Sequence, residues 1–207
     1  MPQSRAPLNE TASQTAGPYL HIGLQPSTAG FAMHQTELGQ QICAPDTNGT
    51  HIRVEGIITD GTGAPVTDAL FEVWQANASG HYAHPLGSGP VEPGFCGWAR
   101  VSADFQTGEW GFDTIKPGPT SGPNQSKQAP HLNIWIVARG INIGLNTRMY
   151  FADESAANAQ DPVLSLIPED ARRATLIAKK TLQNDRPLYR FDIRLQGENE
   201  TVFRSNT

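Results

Sequence analysis

The segment Tyr189-Arg190-Phe191-Asp192-Ile193-Arg194-Leu195-Gln196 alternates apolar and polar side chains without interruption. Successive side chains of a β-strand point to opposite faces of the sheet, so this alternation predicts a strand with one buried face and one solvated face. A half-buried strand needs a second layer to cover its apolar side. The rest of the chain should therefore supply more strands of the same kind.

The same period of two recurs along the chain. Ile52, Val54, Gly56 and Ile58 share one face of a second predicted strand. Further strands are predicted near residues 69–76, 97–103, 108–114, 131–139, 147–151 and 200–204. The 20 Gly and 16 Pro residues are spread along the chain and separate these segments with turns. Many short strands at this spacing predict an all-β fold, an antiparallel β-sandwich.

Helix is predicted in only two places, over Asp153–Gln160 and over about Pro168–Lys180. Pro168 would lie in the first turn of the second helix, and basic residues crowd its end, where the helix dipole favours cations. A chain of 207 residues is long enough for one sizeable core, and we expect a single domain over residues 1–207.

Composition excludes some classes of function. The net charge of −5 argues against a nucleic-acid partner, which would need a basic face. The longest apolar runs are a few residues, far short of the ~20 needed to span a bilayer, and the N-terminus shows no apolar signal segment. Cys43 and Cys96 form no Cys-x-x-Cys pair, which favours two reduced thiols. We therefore expect a cytoplasmic protein without a membrane partner.

The segment Pro130-His131-Leu132-Asn133 contains half of a metal-binding pattern. Side chains two apart on a strand point to the same face, so a His-x-His pair can hold one metal ion from neighbouring positions. Here the second position is Asn133, whose amide oxygen is a poor substitute for imidazole at a transition metal.

The surroundings of this segment resemble the core of the intradiol catechol dioxygenases. The stretches that carry the resemblance are Phe71 to Pro85, Ile115 to Thr120 and Pro130 to Asn133, in that order. Members of this family hold a ferric iron with two tyrosines and two histidines. The resemblance places Tyr82 and His131 at two of these ligand positions, and it places Thr120 and Asn133 at the other two. Only two ligands of four remain, which implies no metal site in this chain.

The resemblance extends to almost the whole chain and is strongest to the family's alpha chains. It includes Ser13 to Gly23, Ala138 to Gly144, Thr147 to Phe151 and Tyr189 to Phe203. Alpha chains of this kind pair with a beta chain that carries the complete Fe(III) site. The resemblance implies that such a pair opens the ring of a small aromatic acid, 3,4-dihydroxybenzoate, with O2 to give 3-carboxy-cis,cis-muconate. No catalytic residue is then expected in this chain, which would supply scaffold, interface and pocket wall.

Arg139 matches an arginine of the family's alpha chains, and the resemblance implies that it binds the substrate. His131 and Arg139 have the same parity, but eight residues of strand would separate them by roughly 26 Å. We therefore expect Arg139 to act in the pocket of an adjoining subunit. A guanidinium can present paired donors to a carboxylate, as this task requires. An ordinary exposed or salt-bridged surface arginine is the alternative.

The resemblance also implies an N-terminal interface arm of about residues 1–25. Thr15, Gly17, Pro18 and Tyr19 would form part of the wall of the partner's pocket. Because Pro fixes its own φ and biases the preceding residue away from helix, we expect a stiff, extended backbone here. An arm that only crosses an interface is the alternative.

Two other classes of function stay open. A self-contained dioxygenase would need other ligands in place of Thr120 and Asn133. A non-enzymatic β-sandwich binding module would need no partner at all. His81 and His84 lie three apart beside Tyr82 but in a loop, which favours ordinary loop histidines over a metal site.

Overall fold

The computed structural model describes residues 10–33, 35, 37–87 and 89–204, and these residues form a mainly β structure. Its eleven described strands are β1 His51–Thr59, β2 Leu70–Gln75, β3 Trp98–Ser102, β4 Glu109–Ile115, β5 Thr120–Ser121, β6 Lys127–Gln128, β7 His131–Val137, β8 Leu145–Phe151, β9 Ile177–Gln183, β10 Arg186–Arg190 and β11 Ile193–Arg194. The α-helices are α1 Leu20–Leu24, α2 Ser155–Ala159 and α3 Asp170–Ala174. Short 3-10 turns span Pro26–Ala29, Pro123–Gln125, Ala152–Glu154 and Leu164–Leu166. Among the described residues, no helix has the length and apolar character that a membrane crossing requires.

Nine of the strands form one sheet. Eight of them follow the order β11-β1-β10-β9-β8-β7-β2-β3, and the ninth, β4, pairs with β1. Strands β5 and β6 form a small separate ladder. The prediction of a mainly β fold with few short helices is confirmed. The sheet is mixed, however, and not purely antiparallel, because β1 pairs in parallel with β10 and β11, and β8 pairs in parallel with β9. The connections that return the chain in parallel leave no local pattern in the sequence.

The apolar faces of two parts of this sheet pack against each other. The ring of Phe71 on β2 stacks on that of Trp110 on β4, with ring centroids 4.9 Å apart, and Trp110 also contacts Phe112 and Phe191. Gly56 allows β1 to approach the chain that follows β10, because a Cβ atom there would lie 1.9 Å from the carbonyl oxygen of Phe191. Stacked aromatic rings and one close backbone approach thus hold the two parts of the sheet against each other.

Most of the predicted strands are present, with shifts of one or two residues at their ends. The predicted run 189–196 is divided, because the chain leaves the ladder at Phe191 and Asp192, where the carboxylate of Asp192 accepts a hydrogen bond from the amide of Ile57 at 3.0 Å. The predicted strand at 200–204 is wrong, since only a single bridge joins Arg204 to Asn146 in this segment.

The predicted helix over Pro168–Lys180 is also wrong in its second half. Helix α3 covers only Asp170–Ala174, and Ile177–Gln183 is strand β9. Strand β9 shows no alternation of burial, since it is exposed from Lys179 onward, and it is held by backbone pairing with β8 and β10. Pairing with distant strands here overrides a local pattern that favours helix.

Candidate functional site

The resemblance places four side chains at ligand positions, here called the relic ligand positions, and three of the four converge at the start of β7. His131 is the first residue of this strand and Asn133 lies two residues later on the same face, while Tyr82 follows β2 in a loop. The hydroxyl of Tyr82 lies 3.2 Å from Nε2 of His131, and Nδ2 of Asn133 donates to the same hydroxyl at 3.2 Å. Thr120 is buried on β5, opposite Gln128. Tyr82, His131 and Asn133 thus form a hydrogen-bonded cluster.

The hydrogen bonds of His131 define its protonation state. Its Nδ1 lies 2.8 Å from the carbonyl oxygen of Ala129, an acceptor only, so Nδ1 carries the proton and Nε2 accepts the hydrogen bond from Tyr82. Burial lowers the pKa of His131 to about 4, and the positive charge of Arg148 acts in the same direction. The imidazole is therefore neutral near pH 7.

Tyr82 is held as a phenol. Burial raises its pKa, and the hydrogen bond from Asn133 and the charge of Arg148 oppose this rise only in part. A ferric ligand would have to be the tyrosinate. The hydroxyl instead donates one hydrogen bond and accepts another within the cluster, so the group fits a hydrogen-bonding role.

Arg148 on β8 is one of two residues of the candidate site that the sequence analysis missed. It lies directly opposite Asn133 in the β7–β8 ladder. Its Nε donates to Oδ1 of Asn133 at 2.9 Å, and its Nη1 donates to Oε1 of Gln128 at 2.6 Å. A guanidinium keeps its charge under all ordinary conditions, so a fixed cation stands beside the relic ligand positions. This charge opposes the binding of a metal cation at the same place.

Asp161 supports the cluster through Ala129 and Tyr150, and no sequence motif predicted this role. Its fully buried carboxylate accepts hydrogen bonds from the amide of Ala129 at 2.8 Å and from the hydroxyl of Tyr150 at 3.1 Å. The ring of Tyr150 lies 5.9 Å from that of His131. Because Asp161 holds the residue whose carbonyl orients His131, it fixes the tautomer of the imidazole.

The residues present do not fit a ferric ion. Two of the four positions carry Thr120 and Asn133, and within the described residues no group of three His, Cys, Asp or Glu side chains is placed to hold a metal. The loop histidines His81 and His84 each bind a nearby backbone group through Nδ1. Nδ1 of His81 lies 3.2 Å from the carbonyl oxygen of Pro90, and Nδ1 of His84 accepts a hydrogen bond from the amide of Leu86.

Of the other predicted site residues, Thr15 and the turn that holds Arg139 lie together at the far end of β7, whereas Gly17, Pro18 and Tyr19 make no described contact with that turn. This strand ends at Val137, so Arg139 lies in the turn that follows it, and the strand-parity argument for Arg139 does not apply. The hydroxyl of Thr15 accepts from the amide of Gly140 at 2.6 Å and lies 3.3 Å from the carbonyl oxygen of Ala138. The N-terminal segment and the turn are thus joined on both sides of Arg139, although more than a hundred residues separate them in the sequence.

The segment around Pro18 differs from the expected extended backbone. The amide of Leu20 donates to the carbonyl oxygen of Gly17 at 3.2 Å, and α1 begins directly afterwards at Leu20. The fixed φ of Pro18 is also suited to a turn that leads into a helix, which explains the difference. Tyr19 precedes the helix with 75 % of its surface exposed. The part of the arm at residues 1–9 lies outside the described residues.

Comparisons with known proteins agree with the sequence resemblance. A family model described as Dioxygenase matches residues 25–197. The chain is 47% identical over 196 residues to the protocatechuate 3,4-dioxygenase alpha chain of Pseudomonas putida, covering 95% of this chain and 96% of the relative. It is 42% identical over 199 residues to the alpha chain of the same enzyme from Burkholderia cepacia, covering 95% and 97%.

A more distant relative is a beta chain. The protocatechuate 3,4-dioxygenase beta chain of Burkholderia cepacia is 34% identical over 160 residues, covering 74% of this chain and 67% of the relative. Among solved structures, the dioxygenase domain of a carbohydrate-binding fusion protein from Streptomyces sp. SirexAA-E superposes with a TM-score of 0.55 at 18% identity, covering 83% of this chain and 96% of that domain. This last likeness concerns the fold alone.

The protonation of His131 leads to a prediction about stability and pH. Its pKa of about 4 in the folded chain lies below the ordinary 6.5, so the unfolded chain binds this proton more readily between these two values. The free energy of unfolding should therefore fall as the pH is lowered through this window, and His131 should account for about 2 kcal/mol of the loss between pH 7 and pH 5.

Urea unfolding at both pH values should show this loss in the wild type and a loss smaller by that amount in His131→Gln. The ring resonances of His131 should titrate near pH 4. A midpoint near 6.5, or an identical pH dependence in the variant, would contradict the assignment.

Proposed function

The chain belongs to the intradiol dioxygenase family, and we propose that it is the alpha, non-iron-binding subunit of a protocatechuate 3,4-dioxygenase. The observation that carries this proposal is the relic pocket, in which Asn133, at a position where the resemblance implies a ligand, is held by the cationic Arg148. The likeness to two alpha chains over nearly their full length agrees with it.

In this proposal the partner is a protocatechuate 3,4-dioxygenase beta chain, which binds Fe(III). The pair cleaves 3,4-dihydroxybenzoate between its two hydroxyl-bearing carbons, and both atoms of O2 enter the product, 3-carboxy-cis,cis-muconate. The ferric ion would supply Lewis-acid activation of the catechol. It would be held by the partner's residues, since those of this chain do not fit it.

This chain would contribute the side of the pocket that recognises the carboxylate. Arg139 supports this role because 69 % of its side chain is exposed and it projects from the turn that Thr15 joins to the arm. The exposed ring of Tyr19 and the neighbouring Gly17 and Pro18 would add to the pocket wall. A substrate with a negative charge would bind here by a charge-assisted, two-pronged hydrogen bond.

The proposal includes one domain over residues 1–207, a β-sandwich with an N-terminal interface arm of about residues 1–25. The packing of Phe71 on Trp110 across the sheet and the family match over residues 25–197 support it. We also propose a cytoplasmic location, which agrees with the free thiols of Cys43 and Cys96.

A self-contained dioxygenase with altered ligands is the second candidate. It would need a metal site near His131, where the fixed charge of Arg148 opposes one. A binding module without catalysis is the third candidate. It would not explain the likeness to the alpha chains of an enzyme over nearly their full length.

We expect the purified chain to bind no ferric iron, because Tyr82 is a buried phenol and Thr120 and Asn133 stand at ligand positions. After incubation with iron, elemental analysis should give far less than one iron per chain, and the visible tyrosinate-to-iron absorption should be absent. The beta chain, treated in the same way, is the positive control. A stoichiometric, coloured complex of this chain alone would favour the self-contained enzyme.

We also expect the chain to assemble with the beta chain. Large apolar side chains are exposed along the N-terminal third, including Tyr19, Phe31, Met33 and Leu38. Such a concentration of apolar surface is typical of an interface. Sedimentation should show self-association of the chain alone and a defined hetero-oligomer after co-expression, with ring cleavage only in the latter. A monodisperse monomer that ignores the beta chain would contradict the proposal.

Substitution of Arg139 tests its contact with the substrate. A hydrogen bond to a charged group contributes roughly 1.5–3 kcal/mol, so Arg139→Ala in the complex should lower kcat/KM for 3,4-dihydroxybenzoate by about ten- to a hundredfold. The loss should be smaller for catechol, which has no carboxylate, and the iron content should not change. Arg190→Ala is the matched control, since Arg190 is a partly exposed arginine paired with Asp192. Equal losses for both substrates, or none, would make Arg139 structural.

A further inference from the structure

Asp68 holds one edge of the Arg139 guanidinium. Oδ2 of Asp68 lies 3.4 Å from Nε of Arg139, and this is the only ion pair or hydrogen bond of the Arg139 side chain among the described residues. A guanidinium carries Nε–H on one edge and two terminal nitrogens on the other, and the second edge matches a carboxylate with two parallel hydrogen bonds. The pair with Asp68 leaves the two-pronged terminal edge available.

The two side chains differ sharply in exposure. Only 16 % of the Asp68 side chain is exposed, against 69 % for Arg139. Oδ2 of Asp68 is buried and makes no hydrogen bond within the described part of the chain, so its ion-pair partner there is Arg139. Its charge also acts on His21, whose pKa it raises against the larger lowering by burial. The following residue, Ala69, is fully buried and its carbonyl oxygen accepts from the amide of Ala103 at 2.9 Å. The carboxylate is therefore fixed to the core, and the guanidinium projects from it.

The backbone on both sides of Arg139 is fixed as well. The Thr15 hydroxyl binds the amide of Gly140 and contacts the carbonyl oxygen of Ala138, and the amide of Ile141 donates to that carbonyl oxygen at 3.1 Å. Gly140 has a φ of +92°, which favours glycine, although a Cβ atom there would meet nothing within 4 Å. The turn thus has a defined backbone, and the remaining freedom lies in the Arg139 side chain.

We propose that Asp68 is a positioning residue for recognition of the substrate's carboxylate. Its carboxylate pairs with Nε of Arg139 and leaves the terminal edge available, beside a surface groove of about 650 Å³ that both residues line together with Ile141 and Ile143. This inference rests on the proposed function, because it concerns the substrate that Arg139 would meet. An arginine side chain loses much rotational freedom on binding, and a partner that restricts it beforehand reduces this loss.

The alternative is that Asp68 has the opposite effect and weakens the binding of the substrate to Arg139. A carboxylate beside Arg139 could compete with the substrate for the guanidinium and repel its negative charge. In that case removal of the Asp68 charge would improve the use of 3,4-dihydroxybenzoate. The sign of the change therefore separates positioning from competition.

The test uses the assembled alpha–beta complex with Asp68→Asn, Arg139→Ala and the double variant. Asp68→Asn should lower kcat/KM for 3,4-dihydroxybenzoate by about two- to fivefold, the range for a partly exposed ion pair, and should leave catechol unaffected. In the Arg139→Ala background, Asp68→Asn should have no further effect, because its partner is gone. Asp113→Asn is the matched control, since Asp113 is a carboxylate paired with Arg186 at 3.1 Å. The iron absorption should be the same in all variants.

Any of four results for Asp68→Asn would overturn the inference: an improvement for 3,4-dihydroxybenzoate, an equal loss for catechol, a full additional loss in the Arg139→Ala background, or no effect at all. If Arg139→Ala shows a carboxylate-selective loss while Asp68→Asn is silent, only the role of Asp68 fails. If the wild-type complex cleaves neither substrate, the proposed function fails and the inference falls with it.

Discussion

Strand β7 is hydrogen-bonded along both edges, to β2 and to β8, and this constraint fixes both parts of the candidate site. The register with β8 sets Asn133 opposite Arg148, and the register with β2 sets Asn133 opposite Trp74. Because a strand paired on both sides cannot slip without reversing which face each side chain occupies, the relic cluster at its start and the Arg139 turn beyond its end are fixed relative to one sheet. The length of β7 thus separates the two parts of the candidate site, one at its start and one beyond its end.

The relic pocket is stable because its polar groups satisfy one another. Loss of a metal from a site of this kind would leave a phenol, an imidazole and an amide without partners, and each unsatisfied buried group is costly. Here Tyr82, His131 and Asn133 bind each other, and Arg148 and Asp161 complete the network from two sides. Burial keeps the imidazole neutral, so among the residues that the structure describes, the full positive charge hydrogen-bonded to this group is that of Arg148. A fixed guanidinium thus provides positive charge beside Asn133 and the neighbouring Tyr82 and His131.

The sequence predicted the fold well where burial follows the local period. The alternation of Ile52, Val54, Gly56 and Ile58 matches the observed burial of β1 closely, because one of its faces packs against Trp110 and Phe71. It failed at β9, whose exposed residues carry no such period and whose position depends on pairing with β8 and β10. The residues of the candidate site divide in the same way, into those that a local pattern reveals and those that only the fold brings together. Tyr82, His131 and Asn133 could be found from their order in the chain, whereas Arg148 and Asp161 act through cross-strand register and burial, which no single segment of sequence encodes.

For the same reason, the sequence analysis did not identify Asp68. Its carboxylate has no motif around it, and its significance comes only from the fold, which brings the residue before β2 to the turn after β7. Antiparallel pairing of these two strands sets Leu70 opposite Val137, so the residues just outside both strand ends must be neighbours. Asp68 and Arg139 are such a pair, each two residues beyond this last register position. Any arginine recruited at the end of β7 to face a partner's pocket would therefore lie within reach of position 68, and a carboxylate there orients the guanidinium at the cost of one partly buried charge.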